Sequence, residues 1–323
     1  LAAGDHFAVM LNGFRGKSAL LRFDARPLNG KTIGVQPGIC QQLNIFFIPI
    51  IMVAGNAAGF GKAGMRQLFL CPVVAVRVIA FHLMGGSGRT DEKSFFKFLH
   101  AHLWDGIDDP FLYTVSAKLD NGEETSARFG CRKFEIDPQK GFILNGRAYP
   151  LRGVSRHQDR KGAGIALTNE MMEEDISIIL EMGANTIRLA HYQHAQHFYD
   201  LCDEKGLVIW AEIPYITMHM TNGRANTLTQ MEELIVQNYN HPCIAVWGLS
   251  NEITAASAVN EDLLENHRLL NDLAHKLDPT RKTAMANVFM LGIDSPILEI
   301  PDVNSYNLYF GWYLGELEQN DEF

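Results

Sequence analysis

The stretch NHPCIAVWGLSNE, Asn240 to Glu252, decides the fold class of this 323-residue chain. A histidine and a proline are followed by a nearly continuous apolar run, which ends in the polar side chains of Asn251 and Glu252. A short apolar run of this kind is typical of a strand that is buried on both faces, as in a parallel sheet covered by helices. The carboxylate at its end therefore needs an explanation.

The sequence around this stretch alternates between strand-like and helix-like segments. Thr168 can cap a helix that has acidic residues in its first turns and that Gly183 ends. Counting YPLRGVS as the first, we find six strand-like segments over about 160 residues, separated by helices or, between the last two, by a short connection. Apolar strands with short crossovers predict a parallel sheet.

An open doubly wound sheet and a barrel both fit this alternation. The barrel is favoured because polar and ionisable residues recur where the predicted strands end, which is where barrel active sites are built. A carboxyl group at the top of a barrel strand lies in a half-dry cleft, where desolvation can raise its pKa enough to make it a proton donor. The strand-end residues are His157, Arg188, His191, Glu212, Asn251, Glu252 and Tyr309.

These residues closely resemble those of glycoside hydrolase family 2, the family of β-galactosidases, β-glucuronidases and β-mannosidases. There, a segment like the quoted stretch ends the fourth barrel strand. Four further motifs match in chain order: LWDGIDDPFLYTV, FILNGRAYPLRGVSRHQD, GANTIRLAHY and NLYFGWY. The resemblance covers roughly Leu103 to the end. It implies an α/β fold, a partial (β/α)8 TIM barrel of about six of the eight strands over residues 135–323.

The resemblance also implies a role for each site residue. Glu252 would be the acid/base, and Asn251 would bind the hydroxyl next to the anomeric carbon. Arg188 would pair with the nucleophile. The remaining predicted residues line the sugar site or lie near the nucleophile: His157, His191 and Tyr309. From the sequence alone, a packing role for His157 is an equal alternative.

A retaining glycosidase needs a second carboxylate, about 5–5.5 Å from the first, as nucleophile. In the family this residue is a glutamate that ends the seventh strand, and the present chain stops at Phe323, just after the predicted sixth. We therefore expect the nucleophile to be missing from this chain and the chain alone to be inactive. The rival nucleophile within it is Glu212, at the end of the third strand.

Two functions remain open. The first is a retaining β-glycosidase acting on β-linked sugars. The segment GLSNEIT resembles the β-galactosidases more than the β-glucuronidases or β-mannosidases of the family, so a β-galactosidase is favoured. The second is a non-catalytic fragment or carbohydrate-binding relic of such an enzyme. Oligomerisation of the complete parent enzyme is compatible with either function.

The segment before the barrel divides in two. Residues 95–134 contain LYTVSAKL, an Asn-Gly turn at Asn121-Gly122 and a second strand-like run, which predicts a hairpin at the end of an immunoglobulin-like β-sandwich. Residues 1–94 show no regular alternation and carry no acidic residue between Asp24 and Asp91. We expect an irregular leader unlike the family. Its glycine strings GFGKAG and GGSGRT lack the residues that nucleotide-binding motifs require, so a loop is favoured for both.

Composition excludes several other classes. The net charge of -9 argues against nucleic acid or an anionic membrane as the main partner. Five scattered cysteines show neither metal-ligand spacing nor a disulfide framework. The trio His191, His194 and His197 lacks the i, i+4 pair of a zinc helix, which favours a surface or cleft position. Some family members bind magnesium, so a magnesium site stays open. No signal peptide is recognisable, which favours a cytoplasmic location.

Overall fold

The computed structural model describes residues 101–119, 124–313 and 315–321, together with seven strands in the first 99 residues. The described chain forms two compact units. One comprises Leu1–Pro150, Asp200–Leu207 and Tyr239–Cys243, and the other comprises Leu151–Tyr199, Val208–Asn238 and Ile244–Phe323. No helix in the described part is both long and apolar enough to cross a membrane.

The first unit is built from antiparallel sheets. Strands β8 (Tyr113–Leu119) and β9 (Glu124–Phe129) pair so that Lys118 lies opposite Glu124, which confirms the predicted hairpin. The Asn-Gly turn itself falls outside the described residues. A smaller sheet follows, formed by β10 (Phe134–Asp137), β11 (Gly141–Leu144) and β12 (Arg147–Ala148).

The first 94 residues contain strands that the sequence did not indicate. β2 (Lys17–Ala25) pairs with β1 (Phe7–Phe14) and with β8, and β5 (Val73–Ile79) pairs with β4 (Ile50–Ala54) and β7 (Lys93–Leu99), in each case antiparallel. The expectation of an irregular backbone is wrong for these stretches. Hydrogen bonds between the backbones of adjacent strands form a sheet here even though the side chains show no regular apolar-polar alternation. The proposal that residues 1–94 are a separate leader stays a prediction. Two shorter strands, β3 (Ile45–Phe46) and β6 (His82–Leu83), pair with each other.

The second unit holds a parallel sheet of six strands in sequential order. Each strand pairs in parallel with the next, as the alternating sequence predicts for part of a (β/α)8 TIM barrel. The strands are β13 (Gly153–Arg156), β14 (Thr186–Leu189), β15 (Val208–Glu212), β16 (Ile244–Asn251), β17 (Lys282–Val288) and β18 (Val303–Asn307).

Four helices connect most of these strands. Helix α1 (Asn169–Glu181) begins after Thr168, whose hydroxyl oxygen accepts a hydrogen bond from the backbone N–H of Met171, and Gly183 follows it with a φ of 78°. Both ends therefore agree with the sequence prediction. The other helices are α2 (Gln196–Lys205), α3 (Arg224–Asn238) and α4 (Glu261–Leu277).

Strand β16, which contains most of the quoted stretch, is the most deeply buried strand of the sheet. All eight of its residues are buried, and the Trp247 side chain is inaccessible to solvent. The register between β16 and β17 shifts between Gly248 and Asn251, so the end of β16 is offset from its neighbour. This offset falls directly before the two polar residues of the predicted site.

Candidate active site

The guanidinium of Arg188, near the end of β14, joins the ends of three other strands, β15, β16 and β18. Its Nε and Nη2 donate to the two carboxylate oxygens of Glu212 at 3.0 and 3.1 Å, at the end of β15. Nη2 also donates to Oδ1 of Asn251 at 2.7 Å, and Nη1 donates to Oδ1 of Asn307 at 2.8 Å. Because the carboxyl ends of parallel strands meet at one edge of a sheet, residues distant in sequence converge there.

Glu212 is the charge partner of Arg188. Its side chain is fully buried, and Nδ1 of His191 lies 2.5 Å from its Oε1, so both carboxylate oxygens are engaged by neighbouring donors. A buried carboxylate is tolerated when it is paired and hydrogen-bonded in this way. Arg188 also lies over the Trp210 ring, 5.0 Å from its centroid, which fixes the plane of the guanidinium.

Glu252 has a different environment. It is half-buried and follows β16 directly, with a left-handed φ of 47°. Its Oε1 accepts hydrogen bonds from the Tyr309 hydroxyl at 2.7 Å and from Nδ2 of Asn307 at 2.9 Å. Burial, followed by the contact with Glu252, raises the pKa of Tyr309 to about 12. The hydroxyl therefore stays protonated at neutral pH and donates to the carboxylate.

Asn251 is oriented by two donors. Oδ1 accepts from Arg188 and, at 2.9 Å, from Nδ2 of Asn307. Since both hydrogen bonds use the amide oxygen, the orientation leaves the amide nitrogen as the group that can donate to a ligand hydroxyl.

The structure brings all six predicted site residues to this edge of the sheet. Arg188, His191, Asn251 and Glu252 are linked through hydrogen bonds, directly or by way of Glu212 and Asn307. Tyr309 bonds Glu252, and the ring of His157, which is exposed, meets the ring of His191 edge-on at 5.1 Å. Their catalytic roles stay predictions.

The sequence reasoning missed Asn307. This residue ends β18 and contacts three of the predicted residues, namely Arg188, Asn251 and Glu252. The same strand-end rule applies to it, because Asn307 is a polar residue two positions before Tyr309.

His194 corrects the surface or cleft interpretation of the histidine trio. It is only 3% exposed, and its Nδ1 lies 3.1 Å from Nη1 of Arg156. Burial, together with the charge of Arg156, lowers the pKa of His194 to about 4, so the ring is neutral at neutral pH and accepts this hydrogen bond. His197 lies 3.4 Å from Glu173 instead. The three rings therefore have separate environments.

Within the described ranges, one group of three side chains has ligand atoms close enough to hold a metal ion: Asp203, His241 and Cys243. However, Asp203 Oδ2 and His241 Nδ1 are only 2.6 Å apart, and Asp203 Oδ1 accepts from the backbone N–H of Cys243 at 3.0 Å. Two ligands of a tetrahedral zinc ion, each at about 2.0–2.1 Å, would lie about 3.3 Å apart. The geometry is that of a hydrogen-bonded cluster. A magnesium site stays a prediction.

Residues 135–321 match the model of the TIM barrel domain of glycosyl hydrolases family 2. A β-glucuronidase from Bacteroides fragilis is 42% identical over 65% of this chain, and a β-galactosidase from Thermoanaerobacterium thermosulfurigenes is 34% identical over 56%. These alignments cover 31% and 25% of the respective relatives, so the chain spans at most about a third of their length.

The fold is also similar to that of a solved structure. An FMN-binding β-glucuronidase from Faecalibacterium prausnitzii L2-6 superposes with a TM-score of 0.69 and is 36% identical. The superposition covers 98% of this chain and 44% of that protein.

Proposed function

The chain belongs to glycoside hydrolase family 2, and from this premise we propose that it supplies the acid/base of a retaining β-glycosidase. The observation that carries the proposal is the position of Glu252. Its carboxylate lies at the rim of the barrel, half-buried, beside an asparagine that is oriented to donate to a ligand. A general acid must reach the leaving oxygen of the substrate within hydrogen-bond distance, and a strand-end residue at this edge can do so.

The two donors on Oε1 suit both steps of such a reaction. Protonation of the leaving oxygen leaves Glu252 with a negative charge, and the hydrogen bonds from Tyr309 and Asn307 stabilise that charge. The same bonds fix the orientation of the carboxylate, so that Oε2 is the atom available to the substrate. In the second step the carboxylate takes a proton from water, which then attacks the glycosyl intermediate.

We assign Glu212 as a charge anchor and not as the nucleophile. Both of its oxygens accept hydrogen bonds, from Arg188 and from His191, and the side chain is inaccessible to solvent. A nucleophile must present a free oxygen lone pair to the anomeric carbon. In this proposal the nucleophile comes from a part of the whole protein outside strands β13 to β18.

Two substrate classes are supported by different observations. The GLSNEIT sequence favours a β-galactoside, and a β-galactosidase is among the relatives at 34% identity. A β-glucuronide is the second candidate, because a relative at 42% identity is a β-glucuronidase.

The test uses the protein expressed from the complete reading frame that contains this chain. The substrates are aryl β-galactosides and aryl β-glucuronides, each with a good and a poor leaving group. Their hydrolysis rates report both the substrate class and the dependence on general acid catalysis. We expect Glu252→Gln to slow the poor leaving group about 10²–10⁴-fold and the activated one far less. The matched control is Glu299→Gln, an exposed glutamate in the segment before β18.

Equal losses on both leaving groups would show that Glu252 is not the proton donor. Loss of activity in the Glu299 control would show that the effect is not specific to the rim. The chain alone is assayed with the activated substrates as well. Turnover by the chain alone that disappears in Glu212→Gln would overturn the assignment of Glu212 as an anchor.

A further inference from the structure

The segment that follows β15, residues 213–219, holds the backbone on both sides of Glu252. The Asn251 N–H donates to the Tyr215 carbonyl at 3.0 Å, and the Thr217 N–H donates to the Asn251 carbonyl at 2.9 Å. Beyond Glu252, the Ala256 N–H donates to the Thr217 carbonyl at 3.0 Å. The segment therefore continues the pairing of β15 with β16 beyond the end of β15. It is hydrogen-bonded to the backbone before and after the proposed acid/base.

Two residues in this arrangement have left-handed backbone conformations without being glycine. The φ of Glu252 is 47° and that of Thr217 is 65°. Such conformations are unfavourable for residues with a Cβ, most of all for a β-branched one, and they persist where the surroundings determine them. The orientation of the Glu252 side chain thus depends on contacts that keep this backbone in place.

The side chain of His219 ties the segment to helix α4. Its Nε2 lies 2.8 Å from Oδ2 of Asp262, in the first turn of α4, and its Nδ1 lies 2.6 Å from the Tyr215 hydroxyl. Its backbone N–H donates to Oγ of Ser257 at 2.7 Å, which joins the segment to the loop after Glu252. Only 5% of the His219 side chain is exposed.

The direction of these hydrogen bonds follows from their partners. A carboxylate only accepts, so Nε2 of His219 donates to Asp262, and in the neutral ring Nδ1 accepts from the Tyr215 hydroxyl. Burial raises the pKa of Tyr215 to about 12, so this hydroxyl remains a donor at neutral pH. Arg224 also donates to the Asp262 carboxylate, which holds the acceptor itself in place.

We infer that His219 is a positioning residue for the acid/base: it locks residues 213–219 against Asn251 and thereby sets the orientation of Glu252. The inference rests on the proposed function of Glu252. His219 does not touch the rim carboxylates in this arrangement, and it acts through the backbone of Tyr215 and Thr217.

The first experiment measures hydrolysis by the complete protein. His219→Ala removes both side-chain hydrogen bonds, and Tyr215→Phe removes only one, so a folded variant is available if the alanine variant is unstable. We expect His219→Ala to lower kcat for a poor leaving group at least tenfold, to change KM by less than threefold and to affect an activated leaving group less. Tyr215→Phe should have a smaller effect in the same direction.

The matched control is His275→Ala. His275 also belongs to a histidine–aspartate pair that involves α4, with Nε2 3.0 Å from Asp302, but Asp302 precedes β18 and so lies at the opposite edge of the sheet from Glu252. This variant also loses a histidine–aspartate pair and should keep wild-type kcat for both leaving groups. Equal loss in the His219 and His275 variants would overturn the inference, since it would show a general effect on stability.

The second experiment uses the chain itself and needs no activity. Backbone amide hydrogen exchange is measured at Thr217, Asn251 and Ala256. We expect at least tenfold faster exchange in His219→Ala and no change in His275→Ala. Unchanged exchange at these amides in a folded His219→Ala chain would overturn the inference. If the complete wild-type protein hydrolyses none of the substrates, the proposed function fails, and the exchange result still decides whether His219 holds this segment.

Discussion

Replacing Arg188 by methionine tests whether the rim depends on one buried ion pair. The variant leaves the fully buried carboxylate of Glu212 with His191 as its remaining partner. Removal of one partner from a buried pair costs about 3–5 kcal/mol, because the other charge stays desolvated. A domain has a free energy of unfolding of about 5–15 kcal/mol in total, so this loss is large. We expect the free energy of unfolding of the chain to fall by that amount in urea titrations.

The double variant Arg188→Met, Glu212→Met separates desolvation from packing. It buries no uncompensated charge, and apolar replacement of a buried pair is often neutral or stabilising. The double variant should therefore be more stable than Arg188→Met alone. Arg268→Met is the control, because Arg268 pairs with Glu261 and Glu265 at an exposed position and should leave the unfolding midpoint unchanged. A double variant no more stable than the single one would refute the reasoning.

Three further changes have expected outcomes. Burial lowers the pKa of His267 to about 4, so below pH 6.5 the unfolded chain binds a proton that the folded chain does not, and stability falls from pH 6.5 toward 4. His267→Gln should flatten that part of the stability curve in urea titrations at successive pH values, and an unchanged slope would contradict the assignment. Tyr309→Phe removes a donor to Glu252 and should slow hydrolysis of a poor leaving group by the complete protein about tenfold, with no shift of the unfolding midpoint. Gly248→Ala would place a Cβ 2.3 Å from the Cβ of Glu212 and should lower the free energy of unfolding by about 1–3 kcal/mol, whereas a neutral result would show that the strands can separate there.

The parallel sheet could be predicted from the sequence because its central strands, such as β15 and β16, are short apolar runs between helix signals. Strand β16 is the clearest case, since all of its residues are buried and the run is unbroken in the sequence. The strands before residue 100 lack a different signal, a regular apolar-polar alternation. Val73–Ile79, for instance, pairs on both sides in an antiparallel sheet, yet it lacks the apolar-polar alternation that marks a half-buried strand.

The site was predictable as a set of positions but not as a set of contacts. The strand-end rule identified Arg188, Asn251 and Glu252, because it requires only the order of strands. The pairing of Arg188 with Glu212 depends on register: Arg188 lies opposite Trp210, and Glu212 is two residues further along the same face. Sequence patterns do not fix the register between strands, so this partner became visible only in the structure.

The two carboxylates at the rim, on neighbouring strands, differ in their donors. Glu212 is bound on both oxygens by a guanidinium and an imidazole and has no exposed surface, which suits an anchor that fixes Arg188. Glu252 receives only neutral donors, both on one oxygen, and remains half-buried. Arg188 reaches Asn251 and Asn307 but gives its paired hydrogen bonds to Glu212. A guanidinium bound directly to a carboxylate favours its charged form, which opposes proton donation. In the proposed function, Glu212 engages this cation, so that the guanidinium does not bind the carboxylate of Glu252 directly.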